Sequence, residues 1–305
     1  MLPFKLIYHD GYDLHLGVHV FPSQKYRITQ ETLLREKLAV PGDFLAPQPS
    51  PDEDVLRVHT ADWVRKLKTG TLSPWEQARL EVPYSKELVA AFWLSAGGST
   101  LAGQRALADG FAVSIGGGFH HAFPGHGEGF CAINDVAIAI RRLQADGTIK
   151  TALVVDTDVH QGNGTAAIFA DDPSVFTLSI HQENNYPAPK PPSDIDIGLP
   201  DFTGDEDYLA ILEKHLIRVF EHFTPDILIH VAGADPYRED QLGGLALTLE
   251  GLKRRDGLVY EHARRHGVPV AVTLAGGYAR RVEDTVRIHI NTILAGRDAV
   301  AVGGR

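Results

Sequence analysis

The sequence is poor in cysteine and in basic charge. Cys131 is the only cysteine among 305 residues, so an internal disulfide is excluded and a reducing compartment is favoured. Lysine and arginine number 29 against 39 aspartate and glutamate residues, which gives a formal net charge of −10. Such a chain has no basic field to hold a nucleic-acid backbone, and we expect no direct nucleic-acid binding.

Long apolar runs are also missing. The first residues, MLPFKLIYHD, lack the apolar stretch of a signal peptide, and no run reaches the ~18 apolar residues of a membrane span. We therefore expect a cytoplasmic protein without membrane contact. Hydrophobic residues still make up 44% of the chain, which is enough for a large core, and a single domain over residues 1–305 is predicted.

The chain instead contains a repeated alternation of apolar strand, polar loop and helix. Buried strands are predicted in the segments 111–115, 152–155, 175–181, DILIHV and VPVAVTL. This alternation is typical of the α/β class and predicts a three-layer α/β/α architecture around a mostly parallel sheet. Ligands of such sheets bind at the carboxyl ends of the strands.

Local signals also predict where some of the helices begin and how one of them packs. A long buried helix is expected over residues 85–108, where the pair Gly97-Gly98 permits close packing. Thr203 and Glu206 have capping-box spacing ahead of another helix.

The stretch VVDTDVHQGNGT combines an apolar strand with candidate metal ligands. Asp156, Asp158 and His160 follow the strand at a spacing of two, which would point their side chains to one side. Carboxylate and imidazole groups together suit zinc, which accepts oxygen and nitrogen donors. Taken alone, the stretch is also compatible with a purely structural role.

Three further stretches supply groups for chemistry. GGGFHHAFPGHGEGFCAIND contains the tandem His120-His121, HVAGADP ends a strand with Asp235, and TLAGGY ends with Tyr278. Glycines ahead of the histidines allow the backbone to approach a ligand closely. Cys131 lies within the first of these stretches, and we interpret it as a buried structural thiol rather than a nucleophile.

Together the four stretches resemble those of the histone deacetylase family, zinc-dependent acyl-lysine hydrolases with the arginase/deacetylase fold. The similarity extends from Tyr8 to Tyr278. DTDVHQGNGT, with glutamine after the histidine and asparagine in the Gly-Asn-Gly turn, is more similar to the class IV branch and its bacterial relatives than to class I. The turn Ala275-Gly276-Gly277-Tyr278 is one glycine short of the family's usual run.

The resemblance assigns a role to each residue that matches a family motif. It implies that the zinc ligands are Asp158, His160 and Asp235. It implies a catalytic group formed by His120, His121, Tyr278, Asp156 and Asn163, with Asp156 hydrogen-bonded to His120 and Asn163 to His121. It implies a substrate tunnel walled by Gly129, Phe130 and Tyr186. Finally, it implies a monovalent cation, K⁺ or Na⁺, bound through Asp156, Asp158, His160, Ser179 and Ile180.

The residue types also support a hydrolytic mechanism without the family. Three protein ligands leave zinc an open position at which a water becomes acidic, with a pKa of ~7. A neutral histidine can take its proton, and the hydroxyl of Tyr278 can hold the carbonyl oxygen. Because Asp156 favours the charged form of His120 while Asn163 is neutral, we expect His121 to be the base.

The predicted function is therefore removal of acetyl or longer acyl groups from acyl-lysine, with Zn²⁺ as cofactor and Fe²⁺ as the alternative metal. The substrate is an acylated protein or a small acylamine. An acetylpolyamine deacetylase would have the same fold, with an acidic residue such as Glu183 at the tunnel rim. An arginase-like ureohydrolase with two manganese ions and a non-catalytic acyl-lysine reader are the remaining alternatives.

Overall fold

A computed structural model describes residues 1–303 of the chain and contains one parallel sheet. The strands within these residues are β1 (Lys5–Ile7), β2 (Phe44–Leu45), β3 (Phe111–Ser114), β4 (Ala152–Asp156), β5 (Val175–Gln182), β6 (Ile195–Leu199), β7 (Ile227–Val231) and β8 (Val270–Thr273). Their order is β2-β1-β3-β8-β7-β4-β5-β6, and all neighbours pair in parallel. The predicted fold class is confirmed.

Helices cover the sheet in two groups. They are α1 (Lys25–Arg35), α2 (Asp52–Val55), α3 (Ala61–Thr69), α4 (Pro74–Leu80), α5 (Lys86–Asp109), α6 (Asp135–Ala145), α7 (Asn163–Phe169), α8 (Asp205–His222), α9 (Leu249–Arg265) and α10 (Val282–Gly303). One group has α5 packed on α6 and on the strands β1, β3 and β8. In the other, α9 packs against α8 and α10, and α10 contacts α1 and β3. No helix within residues 1–303 has the length and apolar character that a membrane crossing requires.

The central strands are buried along their whole length because helices cover them. All residues of β3, β4, β7 and β8 are buried, as expected for a parallel sheet enclosed on both faces. Two short strands were not predicted, β2 and β6. They lie at the two edges of the sheet, where little apolar sequence is needed, and β6 alternates buried and exposed residues.

One of the two predicted helix starts is confirmed. The helix α5 starts after Ser85, whose side chain accepts a hydrogen bond from the backbone N–H of Leu88. The capping box is wrong, because α8 begins after Gly204 without a side-chain cap and the hydroxyl of Thr203 donates instead to the carbonyl of Pro200 at 2.7 Å.

The predicted close packing at Gly97-Gly98 is found. A Cβ at Gly98 would overlap the hydroxyl of Tyr12, and a Cβ at Gly97 would overlap the carbonyl of Gln48. The two glycines therefore allow α5 to approach Tyr12, which follows β1, and the segment that follows β2.

The sheet order brings together the loops that contain the candidate residues. In the centre, β4 pairs with β7, β7 with β8 and β8 with β3. Asp156 at the end of β4 is in register with Val231 at the end of β7. The four loops that follow these strands therefore leave the same edge of the sheet side by side.

Candidate active site

Three predicted ligands converge beyond the ends of β4 and β7. Asp158, His160 and Asp235 are all buried, and their ligand atoms lie within 4.8 Å of one another. Nδ1 of His160 is 3.1 Å from Oδ1 of Asp158 and 3.5 Å from Oδ2 of Asp235. The paired strands thus deliver two carboxylates and one imidazole to a single point.

The spacing of two explains only part of this arrangement, because β4 ends at Asp156. Beyond it the chain turns, and each following residue is fixed by the carboxylate before it. The N–H of Asp158 donates to Oδ1 of Asp156, and the N–H of His160 donates to Oδ1 of Asp158, both at 3.1 Å. The alternation of β4 therefore positions the side chain of Asp156. Asp158 and His160 are positioned by hydrogen bonds from their backbone N–H groups to the preceding carboxylates.

The three residues fit a divalent cation. Oδ2 of Asp235 is buried and has no hydrogen-bond partner among the described residues, and burial together with the charge of Asp158 raises the pKa of Asp235. A cation between the carboxylates of Asp158 and Asp235 would balance the repulsion between their negative charges. It would also bind Oδ2 of Asp235, which otherwise lacks a partner. The donor set of two carboxylates and one imidazole suits zinc and also Fe²⁺.

Gly276, on the loop after β8, packs directly against the carboxylates of Asp158 and Asp235. Its N–H donates to Oδ2 of Asp158 at 3.0 Å, and a Cβ at this position would overlap the carboxylates of Asp158 and Asp235. Only glycine allows the backbone to approach the ligands so closely.

The tandem histidines lie on the loop after β3, and each has its own partner. Nδ1 of His120 is 2.6 Å from Oδ2 of Asp156, and Nδ1 of His121 is 2.7 Å from Oδ1 of Asn163. The two rings are 4.0 Å apart between centroids. The pairing implied by the family resemblance is therefore present in the geometry.

The partners give the two histidines opposite electrostatics. Burial alone would lower the pKa of His120, but the carboxylates of Asp156 and Asp158 outweigh burial and raise it to about 9. Burial and the neighbouring His120 and His160 lower the pKa of His121 well below its usual range. These effects favour the charged form of His120 and the neutral form of His121.

Asp135 binds the backbone of the loop that contains His120 and His121. Its carboxylate accepts hydrogen bonds from the N–H groups of Gly118, at 3.0 Å, and Phe119, at 2.7 Å. Gly117 and Gly118 have φ values of 81° and 77°, in the left-handed region that favours glycine. At these two positions glycine allows close packing against Asp135 and Ala275, whereas the predicted approach to a ligand stays a prediction.

Tyr278 lies on the loop after β8 with its ring buried beside His160. Its N–H donates to Asp240 at 2.7 Å, and Gln241 donates to its carbonyl at 2.8 Å. Burial raises the pKa of the Tyr278 hydroxyl well above its usual range, so the group stays protonated and can donate. The ring centroids of His160 and Tyr278 are 6.4 Å apart.

Lys25 supports the tyrosine loop and was missed by the sequence analysis. It is fully buried, and its Nζ donates to the carbonyl of Ala275 at 2.7 Å. Its Nζ also lies 5.8 Å from the centre of the Tyr278 ring. No sequence signal links Lys25 to a residue 250 positions away.

A cavity of about 180 Å³ leads to these groups. Its lining residues are Glu81, His121, Gly129, Phe130, His160, Asn185, Tyr186, Leu242 and Tyr278. All three predicted wall residues are among them. A Cβ at Gly129 would lie 2.8 Å from the His121 ring and 2.9 Å from the Tyr186 ring, so this wall position requires glycine.

The acidic residue that lines the cavity is Glu81 and not the expected Glu183. Glu183 does not line the cavity; its backbone N–H donates to Leu199, and its side chain runs beside Gly198 on β6. Glu81, directly after α4, lines it instead. Glu81 has a φ of 60°, a rare left-handed conformation for a non-glycine residue that the sequence does not signal.

The remaining predicted residues are Ser179, Ile180 and Cys131, and all three are buried. Ser179 is in register with Asp156 across β4 and β5, and its hydroxyl is 2.9 Å from Nδ1 of His181. Ile180 is fully buried next to it. Cys131 is buried, burial raises the pKa of its thiol well above the usual range, and the thiol donates to the carbonyl of Gly129 at 3.3 Å.

Comparison with known proteins agrees with this geometry. The profile of the histone deacetylase domain matches residues 19–293. An uncharacterized protein of Picosynechococcus is 43% identical over 297 residues, covering 97% of this chain and 99% of that protein. A probable deacetylase of Methanothermobacter thermautotrophicus is 31% identical over 289 residues, covering 90% of this chain and 85% of that protein. The crystal structure of a histone deacetylase homolog from Aquifex aeolicus superimposes with a TM-score of 0.81 at 25% identity, covering 99% of this chain and 84% of that one.

Proposed function

Because the chain belongs to the histone deacetylase family, we propose that it is a zinc-dependent hydrolase that removes acetyl or longer acyl groups from acyl-lysine. One observation supports this most directly. The cavity is lined by Phe130 and Tyr186 together with His121, His160 and Tyr278, so we expect a slender acyl-amine stem in it to present its amide to the last three. The substrate is an acylated protein or a small acylamine, and the single thiol supports a cytoplasmic location.

Asp158, His160 and Asp235 would hold the metal ion. When bound, zinc polarises a carbonyl oxygen and makes a water acidic near neutral pH. Asp156, Ser179 and Ile180, with Asp158 and His160, would bind K⁺ or Na⁺ next to it.

The protein's own residues would divide the proton transfers. His121, neutral at physiological pH, accepts a proton from the attacking water. The Tyr278 hydroxyl donates a hydrogen bond to the substrate carbonyl oxygen as negative charge develops there. A protonated histidine of the pair then gives a proton to the departing amine, and Asp156 keeps His120 charged and oriented.

An acetylpolyamine deacetylase is the second candidate, and Glu81 favours it. Glu81 lines the cavity, and its carboxylate would attract a substrate with a second ammonium group. An arginase-like enzyme needs a second cluster of ligands. Within residues 1–303 the structure brings together one group of three such residues, the group described above. A non-catalytic reader would have no use for paired histidines and a buried tyrosine.

A panel of substrates distinguishes these functions. We expect acetyl-lysine or long-chain acyl-lysine fluorogenic peptides to be turned over, with activity lost to a chelator and restored by Zn²⁺ or Fe²⁺. The measurement compares kcat/KM for these peptides and for N-acetylputrescine. Preference for N-acetylputrescine would select the second candidate. Absence of turnover on every substrate after reconstitution would contradict the enzyme and favour the reader.

Replacing Tyr278 by phenylalanine isolates the oxyanion contact. We expect kcat on the best peptide to fall on the order of 10²–10³-fold with little change in KM, the typical effect of removing one such donor. The ring keeps its contacts with Phe21 and Phe130, whose centroids lie 5.8 and 6.0 Å away. Thermal stabilisation by zinc should be retained as the control. A variant with wild-type kcat would rule out this role for the hydroxyl.

A further inference from the structure

Glu128 occupies a buried position directly behind the histidine pair, and the sequence analysis gave it no role. Its Oε1 accepts hydrogen bonds from Nδ2 of Asn163, at 2.5 Å, and from the hydroxyl of Tyr186, at 3.2 Å. Its other oxygen forms an ion pair with Arg79 and lies 3.2 Å from Nε2 of His126. One carboxylate therefore joins the partner of His121 to a wall of the cavity.

The backbone holds this carboxylate rigidly. Glu128 and Cys131 exchange two hydrogen bonds, of 3.1 and 2.9 Å, across a two-residue turn. The turn residues Gly129 and Phe130 have φ values of 54° and 68°, as in a type I′ turn. The same turn thus presents the wall residues on its tip and Glu128 at its base.

The contacts keep Glu128 in its ionised form. Burial alone would raise the pKa of Glu128, but its bonds to His126, Asn163 and Arg79 outweigh burial and lower it. An ionised carboxylate only accepts hydrogen bonds. Because Arg79 balances much of its charge, the main effect of Glu128 on its neighbours is to orient them.

That orientation passes through Asn163 to His121. Because Glu128 only accepts, Asn163 must turn its NH₂ group toward it, and its carbonyl oxygen then faces His121. A carbonyl oxygen also only accepts, so Nδ1 of His121, 2.7 Å away, must carry the proton. The lone pair of a neutral His121 is then on Nε2.

We propose that Glu128 is a positioning residue that acts through Asn163 to keep the His121 proton on Nδ1, leaving Nε2 free to accept a proton from water. The role of that free nitrogen in catalysis rests on the proposed function. The bond from Tyr186 to the same oxygen couples the cavity wall to this orientation. Asn163 is neutral, but its hydrogen bond to Glu128 fixes which of its atoms faces His121.

The substitution Glu128→Gln gives a specific test. Arg79 only donates hydrogen bonds, so it should bind the oxygen of the new amide and leave the NH₂ group facing Asn163. Asn163 should then turn over, donate to Nδ1 of His121 and shift the proton to Nε2. Long-range ¹H–¹⁵N spectra of histidine-labelled protein measure this tautomer directly, with the His121→Ala spectrum identifying the signals.

The expected result is an Nδ1–H tautomer in the wild-type protein and an Nε2–H tautomer in Glu128→Gln. Deacylation kcat should fall on the order of 10²-fold, more than KM changes, because the base has lost its lone pair at the reactive nitrogen. Arg79→Met, which leaves Oε1 in place, should keep the wild-type tautomer. The double variant Arg79→Met/Glu128→Gln should recover it, since the amide oxygen is then free to face Asn163.

A merely structural role for Glu128 would lower stability in both single variants without moving the tautomer. An unchanged Nδ1–H signal in Glu128→Gln would therefore overturn the proposal. The spectra need no substrate, so a shifted tautomer in a protein that deacylates nothing would uphold the positioning role while refuting the proposed function.

Discussion

Replacing Asp235 by asparagine should abolish the stabilisation that the protein gains from zinc, and deacylation should fall to background. The wild-type protein should gain about 2.7 kcal/mol when free zinc is 100 times its Kd. Asp235 contributes a buried oxygen without a hydrogen-bond partner among the described residues, beside a second carboxylate. The amide keeps the shape but not the charge of the ligand. Differential scanning fluorimetry with and without zinc measures the shift.

The same variant should leave the metal-free protein as stable as the wild type, or more stable. Without a cation, the carboxylates of Asp158 and Asp235 repel each other in a buried site, and asparagine removes one charge. Glu81→Gln is the matched control, because it makes the same change in the same cavity away from the ligands. A zinc shift of wild-type size in Asp235→Asn would show that the metal is held elsewhere.

The convergence of Asp158, His160 and Asp235 was predictable because strand ends are visible in the sequence, whereas their role as metal ligands was implied by the family resemblance. The apolar run before Asp156 and the one before Asp235 each identify a buried strand, and parallel strands end at one edge. His120, His121 and Tyr278 follow the same logic on β3 and β8. Burial, polarity and position along the chain indicated that these residues would meet at one edge of the sheet, and the family resemblance supplied their expected roles.

Residues that support this group from other segments could not be predicted in the same way. Glu128 is a single carboxylate in a glycine-rich stretch, and its effect depends on a two-residue turn with two positive φ angles. Lys25 reaches the tyrosine loop from α1, and Glu81 enters the cavity from the end of α4. Each contact depends on tertiary packing between distant segments, which leaves no periodic or spacing signal.

The edge elements escaped prediction for a related reason. The helix α10 has acidic residues in its first turn, and β2 is only two residues long. The segment between β5 and β6 is rich in proline, which is typical of a loop, and β6 directly follows it. Short edge strands make few apolar contacts, so their sequences resemble those of loops.

We expect His121→Ala to slow the chemical step more specifically than His120→Ala does. We expect its single-turnover rate on an acyl-lysine peptide to fall by about 10²–10⁴-fold, the range for loss of a general base. His121 is buried, neutral and aligned by Asn163, whereas His120 is bound to Asp156 and charged. A charged imidazole has no lone pair with which to accept the first proton.

Rapid quenching with enzyme in excess over peptide measures this step without product release. Both His121→Ala and His120→Ala should retain the zinc-dependent thermal shift, because neither residue belongs to the ligand group. Loss of His120 should also slow turnover, since the charged partner of Asp156 is removed next to the metal centre. If His121→Ala kept a near-full single-turnover rate while His120→Ala abolished it, the base would be His120. The difference in pKa between His120 and His121, which Asp156 and Asn163 help to set, would then not determine which histidine takes the proton.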